Sequence, residues 1–298
     1  MDILWAISNM RTEWLTSLMR IIQYLGETSV LLVVMCIIYW TINKDLAYRV
    51  GFSFFVSGIA VQLAKVVFMV PRPWVRDPSF KPVESAIETA TGYSFPSGHT
   101  QSAMALFGTI ALSVKKLWVR ILLFIGITLL GFSRMYMGVH YLSDVLTAYI
   151  FTFIIVLLVD RASSTDRKEV DLRRALLLAA AALGATAYTC ILHANGTVEV
   201  KYATDMCKMA GGAVGFAAAF FIERNYIDFS TGCDRLWQHI LKVAAGLAVV
   251  LALKSGLKVV LGSSPLGSFA RYLLMILWAM LLYPLILKRL QNRKAEKK

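Results

Sequence analysis

The chain has 298 residues, 58% of them hydrophobic and 16% charged, with a formal net charge of +13 and a mean hydropathy of +0.64. That is more apolar surface than a soluble core of this size can hide, which excludes an ordinary soluble globular domain and makes a lipid bilayer the solvent. The positive balance does not indicate a nucleic-acid partner, because the lysines and arginines sit in short loops between apolar runs, where membrane orientation accounts for them.

Residues 1 to 24 lack the pattern of a signal peptide, since Asp2, Arg11, Glu13 and Arg20 interrupt it. Leu4, Ile7, Trp14, Leu15, Leu18, Ile21, Ile22 and Leu25 recur at three- and four-residue spacing, with Asn9, Arg11, Glu13, Thr16 and Arg20 on the other face. This predicts an amphipathic helix, either lying in the membrane interface or packed into the bundle. Nine apolar segments follow that are long enough to span hydrocarbon, roughly 25 to 42, 47 to 70, 98 to 114, 117 to 133, 139 to 159, 175 to 193, 203 to 222, 238 to 261 and 268 to 287. In lipid each segment must satisfy its own backbone, so the predicted fold class is all-α, a polytopic transmembrane helical bundle.

The polar run 160 to 174 separates five of these segments from four and predicts a boundary: residues 1 to 159 as one module, 160 to 174 as a cytoplasmic linker, and 175 to 298 as an additional bundle. The additional bundle ends in the basic tail Lys294, Lys297 and Lys298. Its helices are rich in small residues, as in Ala179 to Ala182 and Gly211-Gly212-Ala213-Val214-Gly215, which let backbones approach closely in lipid and carry no recognisable chemistry. With nine spans, nineteen basic residues fall in loops on one side and seven on the other. The C-terminus is therefore expected in the cytoplasm and the N-terminus outside. Cys36, Cys190, Cys207 and Cys233 show no metal-type spacing and read as small buried hydrophobes; a Cys190–Cys207 disulfide is the alternative.

Three polar clusters interrupt this apolar chain, and the predicted topology places all three on the extracytoplasmic side. Lys65 and Arg72 are seven residues apart, nearly two helical turns, and Pro71 and Pro73 predict a helix break at Arg72. Two cations on one face suit an anion, the arginine as a fork and the lysine as a point charge. In Ser94-Phe95-Pro96-Ser97-Gly98-His99, Ser97 or a close neighbour is expected to cap the third span, Gly98 to permit close approach of backbone, and His99 to serve as a candidate general acid. In the third cluster, Ser133 and Arg134 precede His140 and Asp144, which stand at i and i+4. A carboxylate accepting from one ring nitrogen fixes the tautomer and leaves the other nitrogen as a nucleophile. Arg134 adds a third cation. Taken singly, each cluster also has an ordinary reading: a snorkelling lysine with a loop arginine, a turn, and a hydrogen-bonded core pair.

Together the clusters resemble, in order and spacing, the three signature motifs of the type 2 phosphatidic acid phosphatase family: Lys65, Arg72 and Pro73; Pro96, Ser97, Gly98 and His99; Ser133, Arg134, His140 and Asp144. The resemblance covers roughly residues 47 to 159. It implies a six-helix catalytic core in which Lys65, Arg72, Ser97, Gly98 and Arg134 hold a phosphate. It implies further that His140 attacks phosphorus to give a phosphohistidine, Asp144 orients it and His99 protonates the leaving oxygen, with no cofactor and no metal. The chain departs from the simplest members in lacking a first spanning helix before the amphipathic segment and in carrying four extra helices.

The expected function is that of an integral membrane phosphatase of the cell membrane. It hydrolyses a lipid phosphate or prenyl diphosphate at the extracytoplasmic face, with the bilayer and its substrate lipid as partners and no nucleic acid or obligatory protein partner. The alternatives are a phosphatase or phosphotransferase for a soluble sugar phosphate, resembling glucose-6-phosphatase in topology, and a lipid transporter whose charges line a path.

Overall fold

An apolar run in lipid has helix as its one available conformation, and the computed structural model, which describes residues 1–163, 168–233 and 235–295, holds helices and no strand among those residues. Asp166 and Arg167 of the polar linker and Lys297 and Lys298 of the basic tail lie outside the described residues, as does the side chain of Lys294. Helices α1 (Asp2–Ser8) and α2 (Glu13–Tyr24) are followed, across a 52° bend, by α3 (Thr28–Ile37) and a π turn to Ile42. Next come α4 (Lys44–Phe68) and the short α5 (Pro73–Arg76). An irregular stretch then leads to α6 (Gly98–Ala103), a π turn and α7 (Thr109–Ser113), and after these to α8 (Leu117–Tyr136) and α9 (Leu142–Ala162). The later helices are α10 (Lys168–Ala194), α11 (Val200–Ile222), α12 (Leu236–Leu261), α13 (Pro265–Leu277) and α14 (Tyr283–Ala295).

Among the described residues seven helices are long and apolar enough to cross a membrane, or eight if the bent pair counts as one span. These account for eight of the nine segments expected from the sequence. The expected third segment is the path α6–π–α7, which reaches from Gly98 to Ser113 and ends where Val114 turns extended before Lys115 and Lys116. At about 1.5 Å per residue it is about 24 Å long, short of the ~30 Å hydrocarbon layer.

The chain packs as two units, residues 1–32 with 52–161, and residues 33–51 with 162–298. In the first unit the N-terminal helices close onto the α8–α9 junction through a core of Leu4, Ile7, Met19, Phe80, Tyr136, Met137 and Val139. Tyr136 is the polar pin of that core: its hydroxyl accepts from Thr12 N at 3.2 Å and lies 3.1 Å from Thr16 Oγ1, while its carbonyl accepts from Arg11 Nε at 2.9 Å. Polar side chains join α4 to the α6–α7 path, with Gln101 Nε2 donating to Phe54 O at 3.1 Å and to Ser57 Oγ at 2.7 Å. Such bonds between helices hold where no water competes.

In the second unit the small residues do what their size predicts. A Cβ on Gly211 would lie 2.2 Å from Phe269 O and one on Gly215 2.9 Å from Leu273 O, so α11 and α13 touch backbone to backbone. Residues 33–51 belong here because Trp40 Nε1 donates to Ala279 O at 2.9 Å, Tyr39 OH to Met280 O at 3.0 Å, and buried Glu223 accepts from Lys44 Nζ at 3.1 Å and from the Tyr48 hydroxyl. All four cysteines are free thiols, Cys36 and Cys207 being buried.

Candidate active site

The chain leaves α8 by a turn that glycine alone adopts without strain. Gly138 has φ +76°, and a Cβ there would come within 2.8 Å of both Phe80 Cε1 and Arg11 Nη2. This turn sends the backbone back so that His140 lies against the first turn of α9, where Asp144 is fully buried. Asp144 Oδ2 is the acceptor for three groups: Tyr141 N at 2.9 Å, Ser94 Oγ at 2.5 Å and His140 Nδ1 at 3.2 Å. An acceptor at Nδ1 assigns the proton to that nitrogen and leaves the lone pair on Nε2.

Arg72 Nη1 faces that lone pair at 2.9 Å. Pro73 starts α5, so Arg72 falls at its N-cap in extended conformation, as the prolines predict. Its guanidinium is held by three carbonyls: Nη1 donates to Val139 O at 2.6 Å, Nε to Gly92 O at 3.0 Å and Nη2 to Thr91 O at 3.1 Å. Arg134, fully buried at the end of α8, donates from Nη1 to Gln23 Oε1 at 2.6 Å. Its Nε and Nη2 find no hydrogen-bond partner among the described residues, and neither does His99 Nε2.

Ser97 caps α6, its Oγ accepting from Thr100 Oγ1 at 3.0 Å, and its N–H donates to Asp144 O at 3.2 Å, which ties the second cluster to the third. A Cβ on Gly98 would meet nothing within 4 Å, so the backbone at this helix start is open to approach. Lys65 occupies the last turn of α4. Burial, and then the charges of Arg72, Arg134, Lys65 and His99, hold the His140 pKa well below the ordinary 6.5. His140 is therefore neutral at physiological pH and ringed by cations. Among the described residues no three His, Cys, Asp or Glu side chains gather as metal ligands would.

All eight residues singled out in the sequence, Lys65, Arg72, Ser97, Gly98, His99, Arg134, His140 and Asp144, lie in the first unit. The structure adds two that the sequence reading did not assign. Ser94 stood within the second cluster without a role. Gln23 carried one faint signal: it follows Leu15 and Met19 at four-residue steps and so interrupts an otherwise apolar face of the amphipathic helix.

Fold and site define a polytopic membrane phosphatase with a cation-ringed histidine. The PAP2 superfamily model matches residues 46–168, and the model for the PAP2 superfamily phosphatase transmembrane extension matches residues 207–296, so the chain belongs to the PAP2 superfamily. It is 29% identical over 160 residues to phosphatidylglycerophosphatase B of Bacillus subtilis strain 168, covering 50% of this chain and 75% of that protein. It is 35% identical over 118 residues to undecaprenyl-diphosphatase BcrC of the same organism, covering 39% of this chain and 58% of that protein. Among solved structures it is similar to the transmembrane PAP2 type phosphatidylglycerolphosphate phosphatase from Bacillus subtilis (27% identity, TM-score 0.46, 54% of this chain and 82% of that one). It is also similar to Aquifex aeolicus LpxE (22% identity, TM-score 0.47, 54% and 93%). The eight site residues all fall inside the first matched region, whereas α1, α2 and Gln23 precede it.

Proposed function

We propose that this protein hydrolyses the phosphate of a membrane lipid, a phosphomonoester or a prenyl diphosphate, through a phosphohistidine on His140. The carrying observation is that His140 presents a neutral Nε2 held in place by Asp144 at Nδ1, with Arg72 2.9 Å from the attacking atom. Phosphoryl transfer needs positioning and stabilisation of the equatorial oxygens more than it needs covalent chemistry from the protein. Arg72, Lys65, the open Nε and Nη2 of Arg134 and the backbone at Gly98 supply donors for those oxygens.

The His140 lone pair forms the N–P bond as the P–O bond to the lipid breaks, and His99, protonated when the phosphate's negative charge offsets the surrounding cations, gives that proton to the departing oxygen. Asp144 accepts the Nδ1 hydrogen bond throughout and stabilises the imidazolium character that develops as phosphorus is bound. In the second half, His99 takes a proton from water, the water oxygen attacks phosphorus, the N–P bond breaks and inorganic phosphate leaves. The two curated relatives carry names of enzymes acting on a phosphatidylglycerophosphate and an undecaprenyl diphosphate, which supports a lipid as substrate here.

The mechanism is tested with phosphatidylglycerophosphate and undecaprenyl diphosphate in mixed micelles. Wild type should release inorganic phosphate without any ion gradient and form an acid-labile phosphoenzyme, and His140→Ala should do neither. Phosphate release by His140→Ala at the wild-type rate would overturn the mechanism, and no release by wild type would favour a transporter. The distribution of basic residues supports a site on the extracytoplasmic side of the cell membrane with the C-terminus in the cytoplasm. Lys81→Cys should then react with an impermeant thiol reagent outside intact cells and Lys116→Cys should not; the reverse pattern puts the site in the cytoplasm.

A further inference from the structure

We infer that Gln23, on the amphipathic helix ahead of the superfamily-matched region, is a positioning residue that aims Arg134 at the phosphate. This inference rests on the proposed phosphate role of Arg134. A guanidinium has five N–H donors in a rigid plane, and its Nε/Nη2 edge pairs with two oxygens of an oxyanion at once. In this protein Nη1 of Arg134 is spoken for by Gln23 Oε1 at 2.6 Å, while Nε and Nη2, the two nitrogens of that edge, have no hydrogen-bond partner among the described residues, Glu27 acting on the guanidinium only as a nearby charge. Both side chains are buried, Arg134 completely and Gln23 to within 4%. A neutral amide suits this place better than a carboxylate: it fixes the plane of the fork without cancelling the charge that the phosphate needs.

The helix that carries Gln23 is itself held in register with the site. Tyr136, two residues beyond Arg134, anchors its start through Thr12 and Thr16. At its end, a Cβ on Gly26 would press on His99 O at 2.9 Å and His99 Cβ at 3.0 Å, so Gly26 lets α2 close directly against the second cluster. Gln23 thus sits between an anchor on the third motif and a contact with the second, and a small displacement of its oxygen rotates the fork.

The test compares Gln23→Met, which keeps the volume and removes the acceptor, with Arg134→Ala and with the double variant. We measure turnover of phosphatidylglycerophosphate in mixed micelles, inhibition by orthovanadate and inorganic phosphate, and thermal unfolding in detergent. Gln23→Met should lower kcat/KM by about tenfold or more and weaken both oxyanion inhibitors by a similar factor, and in the Arg134→Ala background it should change neither. Gln23→Glu should return the acceptor geometry and recover part of the lost kcat while oxyanion affinity stays weakened, a split that a packing role does not produce. Wild-type kinetics in Gln23→Met, or an equal loss with and without Arg134, would overturn the inference. If Gln23→Met fails to fold, Gln23→Glu and its split between kcat and inhibition decide the case. Full activity in Arg134→Ala would instead refute the phosphate role itself, so the two failures are distinguishable.

Discussion

Arg72 Nη1 stands 2.9 Å from His140 Nε2, across the ring from the Nδ1 that faces Asp144. On the proposed mechanism, the nucleophilic lone pair and an anion-binding donor thus address the same point. A phosphate oxygen arriving there takes the donor from the imidazole, so binding of the substrate and freeing of the nucleophile become one event. Arg72→Lys keeps the charge and loses both the fork and its three carbonyl anchors at Val139, Gly92 and Thr91. We expect kcat/KM to fall by about a hundredfold or more, the range found for loss of one oriented donor to a developing oxyanion. Steady-state assays with a loss under about fivefold would show that charge alone suffices.

The depressed pKa of His140 makes a second prediction. In the unfolded chain a histidine titrates near 6.5, whereas in the folded protein burial and the charges of Arg72, Arg134, Lys65 and His99 hold it well below that value. As pH falls below about 6.5 the unfolded state binds a proton that the folded state refuses, so the stability present above 6.5 is progressively lost. His140→Gln removes that term. Between pH 7.5 and 5 in detergent, the unfolding temperature of wild type should therefore drop more steeply than that of His140→Gln; parallel slopes would argue against a neutral buried imidazole.

Ser94 offers a third test, because its hydroxyl reaches Asp144 Oδ2 at 2.5 Å and lies 3.5 Å from His140 Nδ1. A hydrogen bond to a charged acceptor contributes about 1.5–3 kcal/mol. Ser94→Ala leaves Asp144 Oδ2 with Tyr141 N and the histidine and Oδ1 with Ser143 Oγ at 3.4 Å, so the carboxylate turns about its remaining partners. We expect about a tenfold loss in kcat with KM little changed, since the substrate contacts remain. A change confined to KM would place Ser94 on the substrate side.

The candidate site residues were legible because an ionisable group in an apolar chain is conspicuous, and Lys65, Arg72, His99, Arg134, His140 and Asp144 fall at the ends of apolar runs. Helix class was legible for the same reason. The partners that orient these groups were not. Arg72 is held by the carbonyls of Thr91, Gly92 and Val139, and a carbonyl has no signature in a sequence. Gln23 is neutral and more than a hundred residues from Arg134, so its contact follows from tertiary packing alone. Helix irregularities were equally hidden: the π turn at Met104–Gly108 and the pairing of 33–51 with the later helices depend on neighbours far along the chain.

The last prediction concerns what the site takes. Lys65 ends one membrane-length helix, Arg134 lies near the end of a second and Asp144 is in the first turn of a third, so the candidate site residues cluster where apolar helices stop, which on the proposed reading is the depth of lipid headgroups. The wall supplied by α2 carries Gln23 inward and turns Trp14, Leu18, Ile21 and Leu25 outward, with Trp14 69% and Ile21 66% exposed. That spacing forms one apolar stripe suited to acyl or prenyl chains, and a water-soluble sugar phosphate has nothing to place on it. Each methylene buried in the bound complex contributes about 0.8 kcal/mol. About four of them therefore suffice for the roughly 2.7 kcal/mol that separates two substrates by a hundredfold in kcat/KM. We predict at least that ratio for phosphatidylglycerophosphate or undecaprenyl diphosphate over glucose 6-phosphate, measured in the same micelles. Replacing Trp14 and Ile21 with serine should shrink the ratio through the lipid substrate while leaving glucose 6-phosphate turnover unchanged. Equal turnover of glucose 6-phosphate by wild type would remove the lipid assignment and leave the histidine chemistry in place.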